Sequence, residues 1–268
     1  MTLYSQKVPT VPLHELEALP HAIVALGREY PSGHLVERHF HERAQLIYAS
    51  KGIMRVDTPA GIWVVPPMHA IWVPATVQHE LRASSTVHLR TLFIREGSRT
   101  SLPRECCVVE VSPLLRELIL RMVTLLQTQG SAPPSDCMIE LILDEIRALK
   151  VVPMHIAMPT DARLLRICRG LLQNPADNRT SAQWGNTVGA SSRTLERLFF
   201  RETGVTFRAW RQQARLLAAL NRLAAADPIS VIALDMGYQS PSAFTAMFRR
   251  ILGCPPRHFF PSVDFEMA

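Results

Sequence analysis

Ser240-Pro241-Ser242-Ala243-Phe244-Thr245-Ala246-Met247-Phe248-Arg249-Arg250-Ile251-Leu252-Gly253 decides the fold of the C-terminal region, because nearly the same pattern occurs earlier in the chain. At an offset of 49 residues, Ser240, Phe248, Arg250, Gly253 and Arg257 fall on Ser191, Phe199, Arg201, Gly204 and Arg208. The apolar positions Phe244, Met247 and Phe259 fall on Leu195, Leu198 and Trp210. A unit that recurs with its apolar register intact is a duplicated supersecondary structure.

The parts of each copy are those of a helix-turn-helix. In the second copy Asp227 is placed to cap a helix with Pro228 in its first turn, Gly237 ends it, and Ser240 and Pro241 open the next. That next helix gathers Phe244, Met247, Phe248, Ile251 and Leu252 on one face. Ser242, Thr245, Ala246 and Arg249 point elsewhere. In the first copy Thr180 and Gln183 have capping-box spacing, Gly189 supplies the turn, and Ser191 caps a helix that buries Leu195, Leu198 and Phe199. Arg193, Thr194, Glu196 and Arg197 then face outward. Short polar and basic faces on both second helices suit the major groove of double-stranded DNA. Between the copies, Phe207 to Ala225 holds neither Gly nor Pro, which predicts a helical spacer about 28 Å long at about 1.5 Å per residue.

Charge follows the same division. Residues 1–157 carry 15 Lys+Arg against 15 Asp+Glu, whereas 158–268 carry 14 against 8, and all 14 cations there are arginine. The arginine fork suits phosphate oxygens and guanine edges. An apolar fraction of 47% excludes a disordered chain. No apolar run approaches the roughly 18 residues of a membrane span, and Met1 to His14 lacks a basic patch followed by an apolar stretch, so a cytoplasmic, membrane-free protein is expected. Five cysteines without C-x-x-C spacing read as buried free thiols.

From about Glu29 to Arg95, short apolar runs alternate with Gly and Pro: Gln45 to Ala49, Ile53 to Val56, Ile62 to Val65, Ile71 to Val73 and Val87 to Ile94. This pattern predicts a small antiparallel sandwich or barrel. Helical spacing follows at Leu114, Leu115, Leu118, Ile119, Met122, Leu125 and Leu126, and again at Met138, Leu141, Ile142, Glu145 and Leu149, with Gly130 to Asp136 between. These two helices either cover the sheet or offer a stripe of Leu118, Met122 and Leu125 to a second copy; a homodimer is the expectation. Val151 to Asp161, with Pro153 and Pro159, reads as a connector. The chain thus divides into a β-domain (1–110), a helical pair (111–150), a linker (151–160) and a tandem helix-turn-helix domain (161–262).

Ser191-Ser192-Arg193-Thr194-Leu195-Glu196-Arg197-Leu198-Phe199 with Glu202-Thr203-Gly204, and Gly237-Tyr238-Gln239-Ser240-Pro241-Ser242-Ala243-Phe244 with Phe248-Arg249-Arg250, resemble the AraC/XylS family of transcription regulators over roughly Leu164 to Pro261. The resemblance implies base and phosphate contacts from Arg193, Glu196 and Arg197 and from Ser242, Thr245 and Arg249. Ser192, Thr194 and Ser240, at the openings of the same helices, complete the candidate set. Two positions depart from the family pattern. Trp184-Gly185 stands where an apolar residue and Ala are common, and Gly in a helix costs up to about 1 kcal/mol against Ala, so a looser first module is expected. Ala246 replaces a longer polar residue, which shifts the second helix towards phosphate contact.

His39-Phe40-His41 places two imidazoles at i and i+2, on one face if the segment is a strand. Gln45, Gly52 and His79, the last following the Pro74-Ala75 turn, complete a spacing that resembles the cupin signature, with Gln45 where metal-binding cupins carry Glu. His39, His41, Gln45 and His79 are therefore candidates to hold a divalent transition metal, to line a pocket for an organic effector, or to sit satisfied in the core. The arrangement resembles AraC-family regulators with cupin-like sensor domains, the nitroimidazole-response type among them. The expected fold is α+β: an N-terminal cupin-like β-barrel with two appended helices, then an all-α domain of two helix-turn-helix modules joined by a long helix. The function this implies is an effector-responsive DNA-binding transcription regulator and not an enzyme. The alternative is a metal-dependent cupin enzyme, a dioxygenase or isomerase, with a helical appendage.

Overall fold

A computed structural model describes residues 18–95, 103–128 and 134–259. The N-terminal segment searched for a targeting signal, most of the 130–136 separator and residues 260–262 lie outside the described residues. Eleven strands are present among them: β1 (Ile23–Tyr30), β2 (Leu35–His39), β3 (Ala44–Lys51), β4 (Met54–Thr58), β5 (Gly61–Val65), β6 (His69–Val73), β7 (His79–Ala83), β8 (Val87–Ile94), β9 (Cys107–Glu110), β10 (Val151–Val152) and β11 (His155–Ala157). They form a six-stranded sheet in the order β1-β8-β3-β6-β9-β10 and a five-stranded sheet in the order β11-β5-β4-β7-β2. The pairings are antiparallel, and the two sheets face each other without closing into the expected barrel.

Strand β3 explains why the apolar runs read as continuous. Ile47 and Ala49 point between the sheets, towards Met54, Val56, Trp63 and Leu81, while Leu46 and Tyr48 point to the outer face. Two helices, α1 (Pro113–Thr128) and α2 (Asp136–Arg147), cover that outer face with Leu115, Ile119, Met122, Ile142 and Ile146. A strand buried on both sides has no polar alternation to display. The expected partner-facing stripe is corrected here: Met122 is wholly buried against the sheet, and only Leu118 and Leu125 remain partly accessible.

The expected linker is also corrected. Val151–Val152 pairs with β9 and His155–Ala157 pairs with β5, so this short stretch adds a strand to each sheet. Backbone groups that would otherwise be orphaned beside the sheets are satisfied this way.

Seven helices follow: α3 (Ala162–Gln173), α4 (Ser181–Val188), α5 (Ser192–Thr203), α6 (Phe207–Ala224), α7 (Ile229–Asp235), α8 (Pro241–Leu252) and α9 (Pro256–Phe259). Helices α5 and α8 start and end at the repeat offset, and Gly204 and Gly253 stop them at φ of +73° and +80°. Spacer α6 has 18 residues and buries Trp210, Ala214, Leu217 and Leu220. The helical core is continuous with the space between the sheets through Met154 and Ile156, and Trp210 Nε1 donates to the Ala157 carbonyl at 2.8 Å. Of the five free cysteines only Cys168 is fully buried, while Cys137 is exposed. Among the described residues no helix is long and apolar enough to cross a membrane.

Candidate DNA interface and sensor site

The first helix-turn-helix is α4 and α5. The capping box forms as read: Thr180 Oγ1 accepts from Gln183 N at 3.2 Å, and Gln183 Oε1 accepts from Thr180 N at 2.8 Å. Ser191 caps α5 by accepting from Thr194 N at 3.2 Å. Ser192 bonds Ser181 across the two helices at 2.8 Å, and Thr194 bonds Ser191 at 2.9 Å, so both candidates stabilise the module's own entrance. Arg193 and Arg197 are exposed and Glu196 is half-exposed, on the face opposite Leu195, Leu198 and Phe199. Phe200, 63% exposed on the same outer side, was not singled out by the sequence. The signal was present, since only one of the adjacent Phe199-Phe200 pair can face the core of a helix.

Trp184 and Gly185 prove to be a matched pair rather than a weakness. A Cβ on Gly185 would stand 2.4 Å from the Ala190 carbonyl oxygen, so the turn closes onto this helix only because no side chain is there. The Trp184 ring lies against α3 at Gly170, where an added Cβ would meet it at 2.9 Å, and the Arg179 guanidinium covers the ring at 3.5 Å. The glycine expected to loosen the first module is thus the residue that lets its turn close.

In the second module, α7 and α8, Ser240 accepts from Ala243 N at 3.2 Å and Pro241 opens the helix. Ser242, Ala246 and Arg249 are exposed and Thr245 is partly so. With Pro241 and Arg250 these residues line a shallow depression, and the small Ala246 leaves it open. Asp227 does not cap α7: the N-cap is Pro228, without a side-chain bond, and Asp227 accepts from Arg222 Nε at 2.6 Å. Arg222 also reaches Asp235 at the far end of α7. A guanidinium offers a two-pronged clamp that a cap cannot match.

Part of the arginine excess is structural. Arg215 is buried and donates to the carbonyls of Pro175 and Asp177 and to Asn178 Oδ1, at 2.8 to 3.2 Å, tying the loop before α4 to the spacer. Arg179 pairs with Asp177 at 2.6 Å and Arg163 with Asp161 at 2.8 Å.

In the β-domain His39, His41 and His79 converge. Their ring centroids lie 4.4 to 5.3 Å apart, and one ring nitrogen from each lies within 4.8 Å of the others. His39 and His79 are cross-strand partners of β2 and β7. His41 is not on a strand, as the i, i+2 reading supposed; it stands in the loop between β2 and β3, with Phe40 turned out to 52% exposure. Nδ1 of His39 meets the Glu37 carbonyl at 2.7 Å and Nδ1 of His79 meets the Val77 carbonyl at 2.9 Å. A carbonyl only accepts, so Nδ1 carries a proton in both rings.

Thr76 adopts φ of +63°, an outlier for a β-branched residue, and its N–H donates to the His41 carbonyl at 2.7 Å. The strained turn thus fixes the His41 backbone from Thr76 and the His79 ring from Val77. Burial, and then the neighbouring His39 and His79 imidazoles, lower the His41 pKa to about 3. Burial lowers His79 to about 4, against the Val77 carbonyl. Both rings are neutral at neutral pH.

Gln45 lies on the inner face of β3, opposite Phe93, whose ring stands edge-on to His41 at 4.9 Å. Thr91 Oγ1 donates to the Leu46 carbonyl and accepts from Gln45 Nε2, each at 3.1 Å. That chain assigns the amide orientation and leaves Gln45 Oε1 buried without a partner.

An AraC-like ligand binding domain matches residues 21–198 and a helix-turn-helix domain matches 184–261. The HTH-type transcriptional regulator NimR of Escherichia coli is 33% identical over 82% of this chain and 81% of its own. The fatty-acid-bound ToxT structure from Vibrio cholerae covers 89% of this chain and 94% of its own at 11% identity and a TM-score of 0.38. The DNA-binding domain of AdpA, solved in complex with a target DNA, covers 34% of this chain and 84% of its own at 27% identity and a TM-score of 0.33. The relatives are regulators, which replaces the cupin-enzyme alternative. An N-terminal ligand-binding domain and a tandem helix-turn-helix, joined in this order, make the chain a DNA-binding transcription regulator belonging to the AraC family.

Proposed function

We propose that the chain is a cytoplasmic homodimer whose β-domain senses an effector and passes the change to helices that read paired DNA sites. One observation carries this reading: the sensing half touches the reading half through a run of rings. His69 of β6 stacks on Phe259 of α9 at 5.5 Å and 18°, and Phe259 meets Phe248 of α8 edge-on at 5.5 Å. A cleft of about 750 Å³ opens beside this run, with Met68, Glu110 and Lys150 on one wall and Leu252 and Phe259 on the other. A shift of β6 or β9 is therefore felt by the second recognition helix. Coupling of about 1 to 3 kcal/mol is the usual scale for such a link.

Base and phosphate contacts are assigned to Arg193, Glu196 and Arg197 and to Ser242, Thr245 and Arg249, with Arg249 on phosphate. Ser192, Thr194 and Ser240 hold the helix entrances beside the phosphates. Leu114 and Leu141, 46% and 40% exposed on α1 and α2, supply the dimer contact together with Leu118. Linking two reading heads in this way raises the effective concentration of the second.

The test uses the full chain and duplexes selected by it from random sequence. Fluorescence anisotropy should give affinity that falls steeply as salt rises, through counterion release. Light scattering should give the mass of two chains, and Leu114→Glu with Leu141→Glu the mass of one. A folded chain with no salt-sensitive duplex binding at low ionic strength overturns the DNA assignment, and a monomeric wild type overturns the dimer.

A further inference from the structure

We infer that Phe200 is a specificity-determining residue: laid in the major groove beside Arg193 and Arg197, its ring packs on the C5 methyl group of a thymine in the operator. This rests on the assignment of α5 as a reading helix and adds to it a contact that no charged side chain can make.

Placement comes first. Seven residues along an α-helix fall about 20° short of two full turns and advance about 10.5 Å along the axis. Phe200 therefore stands almost directly beyond Arg193, between the directions of Glu196 and Arg197, in the middle of the reading stripe. The back of α5 is held twice over. Leu195, Leu198 and Phe199 are buried in the core, and Glu202 accepts from the Thr160 and Asp161 backbone N–H groups, each at 2.9 Å. With that face fixed, the side carrying Arg193, Arg197 and Phe200 is the one the module turns outward. A helix lying along the groove then carries Phe200 about three base-pair steps from Arg193, at about 3.4 Å for each step.

Exposure is the second observation. Phe199 is wholly buried, whereas Phe200 is 63% exposed beside the exposed Arg193 and Arg197. Phenylalanine is also a weaker helix former than Lys, Arg, Glu or Gln, so neither packing nor propensity accounts for a ring here. An apolar group flanked by cations matches a surface that is itself apolar in spots and anionic around them. The major groove is such a surface, with thymine methyl groups on its base edges and phosphates along its walls.

The third observation is the repeat. At the offset of 49 residues Phe200 corresponds to Arg249. A guanidinium at this position is long enough to leave the base edges for a phosphate. A phenyl ring has no donor for a phosphate and ends short of it. What the groove offers such a ring is the C5 methyl, the apolar group that marks thymine on its major-groove edge. The first module thus reads sequence at the position where the second only holds the backbone.

The full chain and its variants are tested on duplexes that each selects from random sequence. The wild type should enrich a thymine at one position that Phe200→Ala leaves unselected. Replacing that thymine by deoxyuridine keeps the base pair and removes only the methyl group, and should weaken wild-type binding about fourfold, the worth of one buried methyl. Phe200→Ala should bind the two duplexes equally. Phe200→Arg should ignore the methyl group as well, and its affinity should fall with salt more steeply by about one ion, as a phosphate contact does. The deoxyuridine comparison on the wild type needs no variant to fold. Wild-type binding indifferent to deoxyuridine at every thymine overturns the inference and leaves the ring to a protein partner. A Phe200→Ala chain that keeps the wild-type loss overturns it equally, since another residue then reads the methyl. A chain without salt-sensitive duplex binding sinks the DNA assignment itself, whereas salt-sensitive binding that ignores the methyl groups sinks this inference alone.

Discussion

Helices α5 and α8 share their length, their serine cap and their left-handed glycine stop, yet the structures around them differ. The first module is closed by its own side chains: a capping box, the Ser181–Ser192 bond and Trp184 laid on Gly170 beneath Arg179. The second has no side-chain cap on α7 and takes its support from elsewhere, through the Arg222 clamp and the Phe259–His69 stack on the β-domain. Duplication has kept the reading helix and let the supports diverge. The module that depends on its surroundings is the one through which a sensor can act.

The sharpest way to break this comparison is at the turns. Ala190 N–H donates to the Gly185 carbonyl, and Tyr238 N–H donates to the Ala233 carbonyl, both at 2.9 Å, which makes Gly185 and Ala233 equivalent. From there Gly189-Ala190-Ser191 reaches the cap one residue sooner than Gly237-Tyr238-Gln239-Ser240 does. The shorter turn forces glycine; the longer one accepts alanine. Helix propensity alone says that Gly185→Ala gains up to about 1 kcal/mol. A Cβ 2.4 Å from a backbone oxygen says the opposite, a loss of about 1 to 3 kcal/mol by overpacking. Thermal unfolding with circular dichroism decides the sign, and a raised Tm for Gly185→Ala would remove the tight seam.

The reading faces differ next. At the repeat offset Arg193, Glu196, Arg197 and Phe200 correspond to Ser242, Thr245, Ala246 and Arg249. The first face carries two long exposed cations where the second carries Ser and Ala. Arg197→Ala should cost about 1 to 3 kcal/mol in duplex affinity and relax preference at a single base pair. Arg249→Ala should weaken all sequences alike and lower the salt slope by about one ion. Binding measured across a set of single-base operator variants checks both. Equal loss across sequences for Arg197→Ala would make the two helices alike in mode.

Much of this was legible in the chain itself. Identities at one offset revealed the duplication, because cap, stop and core residues are forced by helix geometry whatever the partner. The histidine convergence was legible only through the likeness to the cupin spacing, since four strands separate His41 from His79 and the pairing of β2 with β7 brings them together. What escaped depended on distant contacts. Val151–Val152 is too short for any periodicity, and its strand character comes from β9 alone. The β2 sequence Leu35–His39 is largely exposed and shows no apolar alternation. Met122 and Leu118 lie on one helical stripe in the sequence, and only the position of the sheet determines that Met122 is covered. Asp227 has the chemistry of a cap, and what diverts it is Arg222 on the preceding helix.

The smallest expected difference lies in how each first helix is held at its start. Thr180 Oγ1 accepts from the Gln183 backbone N–H, and the Thr180 backbone N–H donates to Gln183 Oε1, so Thr180→Ala orphans the Gln183 N–H and should cost about 1 kcal/mol. Asp227 makes instead an ion pair with Arg222, whose side chain is 31% exposed against 34% for its own. Pairs so open to water contribute about 0 to 1 kcal/mol, and Arg222 keeps Asp235 when Asp227 is lost. Asp227→Ala should therefore cost less than Thr180→Ala at low salt. The two should also respond differently to ionic strength, because a neutral capping bond is not screened while an exposed ion pair largely is. Denaturant unfolding at low and high salt reads this as a gap: the Thr180→Ala penalty stays constant, and the Asp227→Ala penalty shrinks towards zero. A penalty for Asp227→Ala that matches the Thr180→Ala one and ignores salt would mean that Asp227 acts as a cap in solution, and the two modules would then be held in the same way.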